Sequence, residues 1–500
     1  MSFRDLIWHH RIYLLSAGAL SLILFFIFKL LYPHPFMVMD SYVYIRPLVE
    51  GRNVNSFPMG YTWFLQLFSF FSRSATLLVW VQYLLLEASF LLFFFSLLYF
   101  FHPGSKWMKV LLFLFFFVNP LFLYCSNFIM SDALFTTLSI LWITQLMWIM
   151  TRPRPYMILI HALLLLLVFT VRYNALYYPF IAAFILLAAR MRPWLKVAAI
   201  ALQFLFIGGF IQYTRGEMER SSGVRQFSPF GSWRMANNAL YMYGHVCQEK
   251  DDTVPARFAT LDLMVKRYFR AVRWVDDLSD ARSGGAFYAA DGGSPLLQYK
   301  VRQYGQDSVF LDLRTFGLVA PLYSAYGTYL ARKYPIAYCR WFLWPSTIRY
   351  AISPTEVFSS LSPFYLRQDD IGREASSWFG LKTLMVSPDY INLRTAILSP
   401  YPMLLGIIHL AFILGLVGFL LFGGLKKAGR INAWIVITIT AFWLCDLFFK
   451  ITAGAIVLRH QLFLMILEFA FALVFLDFIA RHSERTPLSQ PQGVFNSSSE

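Results

Sequence analysis

Ten apolar runs of the length that crosses a bilayer recur along this chain, and they limit the fold before any motif is considered. A hydrocarbon core about 30 Å thick needs roughly 20 apolar helical residues, and a spanning segment must satisfy its backbone internally. The runs lie near residues 12–32, 76–101, 108–124, 133–150, 157–171, 175–190, 197–213, 402–423, 431–451 and 460–480. Composition agrees: 58% hydrophobic, 19% aromatic and 14% charged residues over 500 positions do not suit a string of soluble domains. The expected fold class is an all-α polytopic membrane protein with about 10 transmembrane helices. The first run follows a short head bearing Arg4 and Arg11, as a signal peptide would, but Tyr32-Pro33-His34-Pro35 offers no small-residue cleavage site, so an uncleaved span is expected.

Charge orients the runs. With ten spans, Arg4, Arg11, Lys106, Lys109, Arg152, Arg154, Arg190, Arg192, Lys196, Lys426, Lys427, Arg430, Arg481 and Arg485 all fall on one side, which the positive-inside rule makes cytoplasmic, with both termini there. Much of the net charge of +16 therefore sets orientation and gives no reason to expect nucleic acid as a partner.

The chain divides into an N-terminal membrane module (1–213) with a first external loop (33–75), a long insertion (214–401) between spans seven and eight, C-terminal membrane helices (402–480) and a tail (481–500). The insertion holds 17 of the 27 acids and 22 of the 43 Lys and Arg, so it reads as a nearly balanced, water-facing, mainly helical extracytoplasmic domain. Ala256 to Val275 has helical apolar spacing, and Ser283-Gly284-Gly285 and Asp291-Gly292-Gly293-Ser294-Pro295 read as loops. Ser483 to Glu500 reads as disordered. Of Cys125, Cys247, Cys339 and Cys445, only Cys247 and Cys339 share the insertion, where a disulfide is possible; none has zinc spacing.

One acid stands out. Asp40, in Met37-Val38-Met39-Asp40-Ser41-Tyr42-Val43-Tyr44, sits just past the first span among aromatics, where an acid is either paired or employed. A short interfacial helix is expected from about Asp40, which makes an N-cap its plain alternative. Asp132 ends Asn119-Pro120-Leu121-Phe122-Leu123-Tyr124-Cys125-Ser126-Asn127-Phe128-Ile129-Met130-Ser131-Asp132 at the mouth of span four, again as a cap or as a site acid. Arg172, in Val171-Arg172-Tyr173-Asn174, and Arg459-His460 lie at outer helix ends, where an interfacial Arg can also simply snorkel to headgroups.

An acid soon after span one, the Pro58-Met59-Gly60-Tyr61 turn, Asn119-Pro120 followed by Ser131-Asp132, and Arg459 at the head of the last span together resemble the GT-C superfamily of polyprenyl-phosphate-sugar-dependent membrane glycosyltransferases, such as protein O-mannosyltransferases and the aminoarabinose transferase of lipid A. The resemblance covers the first half of the chain and the last two spans. It implies Asp40 and Asp132 as catalytic acids, able to hold Mg²⁺ or Mn²⁺ where a member uses one. It places Arg459, with His460 where the family often has Tyr, on the donor phosphate, a role the position of Arg172 also suits. Tyr42, Tyr61 and Tyr173 support the substrate site. The implied partners are a polyprenyl-phosphate-linked sugar, a glycan, lipid or protein acceptor, and membrane lipids. The insertion departs from relatives whose soluble part follows the last span, and its place over the site suggests acceptor selection.

Two other functions compete. A polymerase or ligase of diphosphate-linked glycans would depend on loop arginines such as Arg234 or Arg257; a transporter would use the deep acids Glu87 and Glu468, for which a polar contact between helices is the plainer reading. Asp446 and Lys450, four apart, read as an ion pair. The paired acids Asp251-Asp252, Asp276-Asp277 and Asp369-Asp370 read as solvated faces, and no glycine pair forms a phosphate loop. A bacterial inner membrane, with the active site periplasmic, is the expected location.

Overall fold

The computed structural model describes residues 2–249, 253–271, 287–290, 293–305, 312–355, 370–380, 391–453 and 456–483. Among them are eight helices long and apolar enough to cross a membrane: Arg11–Leu31, Ala75–Phe101, Lys106–Ser126, Ser131–Thr151, Pro193–Ser222, Asn392–Leu421, Arg430–Ala453 and Leu458–Ser483. Two more apolar helices, Pro155–Val171 and Tyr173–Ala188, are shorter. The ten runs are thus all helical, eight at full length. The chain is all-α, its one β feature among the described residues being an isolated parallel bridge between Phe36 and Phe128.

In chain order the helices used below are α1 (Phe3–His9), α2 (Arg11–Leu31), α3 (Met39–Glu50), α4 (Gly60–Ser69), α5 (Ala75–Phe101), α6 (Lys106–Phe117), α7 (Pro120–Ser126), α8 (Ser131–Thr151), α9 (Pro155–Val171), α10 (Tyr178–Ala188) and α11 (Pro193–Ser222). The break between α6 and α7 is written in Asn119-Pro120. Asn119 caps α7, its side chain accepting from the Leu121 N–H at 3.0 Å, and Pro120 takes the first helical position, where no N–H is needed.

The bundle is glued by aromatics and by buried polar pairs. Phe115 stacks on Phe469 with ring centroids 3.9 Å apart, and Phe90 on Phe116 at 5.2 Å. The deep charges all have partners: Ser21 Oγ donates to Glu87 at 2.9 Å, His409 Nδ1 lies 2.5 Å from Glu468, and Lys450 meets Asp446 at 2.9 Å as their spacing predicts. Each joins neighbouring helices or turns in place of lipid.

The two ends of the bundle differ. One gathers Arg152, which donates to Tyr99 Oη at 2.9 Å, and Arg481, which donates to the His102 carbonyl at 3.1 Å. A cavity of about 560 Å³ lined by Arg152, Arg190 and Arg430 opens at this end. The other end carries α3, α4 and a helical cluster with a core of its own, made of α12 (Pro229–Glu249), α13 (Ala259–Ala271), α14 (Pro295–Tyr304) and α15 (Leu313–Lys333); α16 (Trp344–Ala351) follows, its Tyr350 buried in the bundle core. Trp233, Phe258, Phe316, Tyr323 and Tyr326 are buried in that core, and Trp233 Nε1 donates to the Phe316 carbonyl at 3.0 Å. Helix α12 lies so close on α15 that a Cβ at Gly327 would run into the backbone of Met235 and Ala236.

The chain returns through α17 (Asp370–Phe379), α18 (Ile391–Leu398), α19 (Tyr401–Leu421), α20 (Arg430–Ala453) and α21 (Leu462–Ser483). Cys247 and Cys339 are both free; Cys247 is buried in the cluster core and Cys339 is exposed, so the disulfide considered from sequence is not made. The paired acids 251–252 and 276–277, Asp369, the glycine pair 284–285, Gly292, the end of the run beyond Ala271 and the tail from 484 onward lie outside the described residues.

Candidate functional site

Two short backbone segments set the site. The Phe36 N–H donates to the Asn127 carbonyl at 2.8 Å, and the Ile129 N–H donates to the Phe36 carbonyl at 3.0 Å. Asp40 lies four residues beyond Phe36 and Asp132 four beyond Phe128, so this register brings the first turns of α3 and α8 together. Gln82 fastens the second segment from behind, donating to the Ser126 and Phe128 carbonyls at 2.9 and 3.1 Å.

Neither acid is an N-cap, which corrects the plain reading of both. The N-caps are Val38 and Met130; each acid sits one residue inside its helix, favoured by the helix dipole, with its carboxylate turned to a guanidinium. Asp132 is 2% exposed and accepts from Arg172 Nη1 at 2.9 Å and from Arg459 Nη1 at 3.3 Å, one on each oxygen. Arg459 Nη2 reaches Asp40 Oδ2 at 2.9 Å. The four side chains therefore alternate in sign, Arg172, Asp132, Arg459, Asp40, and their formal charges cancel. Asp40, with its side chain 29% exposed, is the open end of the series.

Each cation is held by its own packing. Arg172 ends α9, and there Gly60 comes so close that a Cβ on it would lie 2.5–2.6 Å from the backbone of Thr170 and Val171. The glycine of the Pro58-Met59-Gly60-Tyr61 turn is thus what lets α4 reach the Arg172 turn. Arg459 stands on a 3₁₀ turn, Leu458–Gln461, tied down by the Leu458 N–H donating to the Pro354 carbonyl at 2.9 Å and by Lys450 Nζ donating to Gln461 Oε1 at 2.7 Å.

The other predicted site residues take separate places. Tyr61 is fully buried, its hydroxyl donating to Gln82 Oε1 at 2.6 Å, so it supports the wall behind the acids and cannot touch a substrate. Tyr173 packs on Phe227, ring centroids 4.4 Å apart, among the aromatics of α9 and α11. Tyr42 is partly buried against the bundle core. His460 shares the turn of Arg459, its backbone N–H donating to the Val457 carbonyl at 2.9 Å.

Sequence reasoning passed over Tyr44 and Ser131, whose hydroxyls lie 2.9 Å apart and join α3 to the start of α8. Burial pushes the Tyr44 phenol up to about 12, so it stays neutral at working pH. Their only sequence signal is that each sits inside a motif already noted. A further cation, Arg234 on α12, has its Nη1 buried and lies within electrostatic reach of Asp40 and Arg459.

As a metal site the donor set is poor. Among the described residues no three of His, Cys, Asp and Glu converge, and Arg459 fills the position between Asp40 and Asp132 that a cation would take. No family model, curated protein or solved structure matches this chain.

Proposed function

We propose that the chain is an inverting glycosyltransferase of the GT-C type, moving a sugar from a polyprenyl-phosphate donor to an acceptor on the extracytoplasmic side of a membrane. The observation that carries the reading is the alternating cluster itself. Four residues singled out by sequence, as much as 419 positions apart, form one series of ion pairs at one end of the bundle. In this reading the two shorter apolar helices also cross, giving ten spans with both termini cytoplasmic, and the helical cluster is a periplasmic insertion over the site in a bacterial inner membrane.

The chemistry assigned to the residues follows their exposure. Asp40, the accessible acid, takes the proton of an acceptor hydroxyl as its oxygen attacks the anomeric carbon. The bond from that carbon to the phosphate oxygen breaks on the opposite face, and the lipid phosphate departs with the electron pair, its charge met by guanidinium groups. Asp132 holds Arg172 and Arg459 in register. Mg²⁺ or Mn²⁺ would have to arrive with the donor phosphate and displace Arg459 from one acid, so no step is routed through it. Asp40→Asn should reduce transfer at least a hundredfold, read by radiolabelled sugar moving from a lipid-phosphate donor, with the protein folded and inserted. An Asp40→Asn variant that keeps its activity ends this reading.

A polymerase or ligase of diphosphate-linked glycans is the second reading, favoured by Arg234, an arginine of the insertion on whose charge Asp40 acts. In that case Arg234→Ala would abolish product and Asp40→Asn would not.

A further inference from the structure

The four-residue series leaves its cations already neutralised: Arg172 and Arg459 are both engaged by carboxylates, so neither offers a full charge to an incoming anion. Arg234 does. It lies on α12, one helical turn before Asn238 and so on the same face. Asn238 Nδ2 donates to the Thr452 and Ala453 carbonyls at 3.3 and 3.0 Å, fixing that face of α12 on the end of α20, just ahead of the Arg459 turn. One turn earlier, Phe230 packs on Phe57 of the first loop at 5.3 Å, and Phe57 packs on Tyr44 at 5.6 Å. The Arg234 guanidinium lies over the Phe230 ring at 5.1 Å, and Asp40 and Arg459 both act on its charge.

Its polar partners are missing. Nη1 is buried without a hydrogen-bond acceptor, and among the described residues Arg234 makes no ion pair. A buried guanidinium N–H is strongly disfavoured unless something accepts from it. Arg234 stays charged at neutral pH, although burial pulls it down to about 10. With Arg234 the group of five carries one positive charge in excess, within electrostatic reach of the open acid Asp40.

We propose that Arg234 is the anion-binding group of this site, taking the phosphate of a lipid-linked sugar, with the Arg172 to Asp40 series as the neutral floor beneath it. This rests on the lipid-phosphate reading above but assigns the phosphate to a residue of the insertion, outside the motifs that carry the resemblance. Substrate would then be recognised jointly by the membrane bundle and the helical cluster. Monophosphate and diphosphate donors share this chemistry.

The test is binding by the full-length protein in detergent micelles, with farnesyl monophosphate and farnesyl diphosphate as probes. Wild type should bind at least one probe, Arg234→Gln at least tenfold more weakly, and Arg234→Lys in between. Arg302→Gln, on an exposed arginine of the same cluster, should leave affinity unchanged. Because Arg234 gives up no ion pair and only a ring contact with Phe230, Arg234→Gln should melt within a few degrees of the wild type. A marked fall in melting temperature identifies a structural role and overturns the assignment, as does wild-type affinity in Arg234→Gln or failure of wild type to bind either probe. The ratio of the two affinities names the donor class. Binding that depends on Arg234 in a protein that transfers no sugar keeps the anion site and removes the transferase reading. Transfer that survives Arg234→Gln with undiminished affinity does the reverse.

Discussion

Asp132 and Asp40 share Arg459 but differ in what their loss should cost. Asp132 is 2% exposed and satisfies two guanidinium groups, so Asp132→Asn strands both in a buried setting. Breaking such a pair costs about 3–5 kcal/mol, visible as a lower unfolding temperature of the purified protein. Asp40 is 29% exposed at the end of the series, and Asp40→Asn should cost about 1 kcal/mol or less while removing activity. The contrast between stability and turnover separates the holding acid from the reacting one. Gly60 provides a third residue-scale test. A methyl group there meets backbone at 2.5 Å, so Gly60→Ala should destabilise by about 1–3 kcal/mol and displace the Arg172 turn. Transfer should fall together with stability, and rescue by a second glycine elsewhere is not expected.

Among the elements, α12 links the cluster to the bundle. It is pinned to α15 through Trp233 and the close approach at Gly327, and to α20 through Asn238. Trp233→Ala should open a cavity worth about 3–5 kcal/mol in the cluster core and make the segment between α11 and α17 sensitive to protease before the bundle yields. Asn238→Ala should leave the core intact yet weaken phosphate-probe binding, because it frees the face carrying Arg234. Much of the element layout was legible beforehand. Long apolar runs announce spans, and Asn119-Pro120 announces the break between α6 and α7, since both act through local backbone chemistry. Arg234 was legible only as one loop arginine among many: its importance depends on packing between α12 and the first loop, for which no local pattern exists. The capping readings of Asp40 and Asp132 failed for a related reason. An acid near a helix start looks alike whether it caps or sits two residues further in, and only the remote arginines decide where its carboxylate points.

For the molecule as a whole, the testable matter is sidedness. Cys339 is exposed in the helical cluster, whereas Cys125 and Cys247 are buried and Cys445 is partly so. A membrane-impermeant maleimide applied to intact spheroplasts should therefore label the wild type, and Cys339→Ser should remove most of the label. Labelling only after lysis would put the cluster and the charge series on the cytoplasmic side. Sequence yields an expectation of sidedness because charge between spans is read by the membrane itself, one loop at a time. The join between cluster and bundle was not legible, because it forms from segments far apart in sequence.

The wide spacing of the charge series has a consequence for synthesis. Asp132 meets Arg172 after 40 further residues, but Asp40 must wait 419 residues for Arg459. At typical elongation rates that is a delay on the order of 20–80 s. During it the ribosome-bound chain carries Asp40 without the Arg459 guanidinium. The charge series is therefore complete only once the last helix has been made, and a chain truncated ahead of Arg459 would lack the guanidinium that joins Asp40 to Asp132.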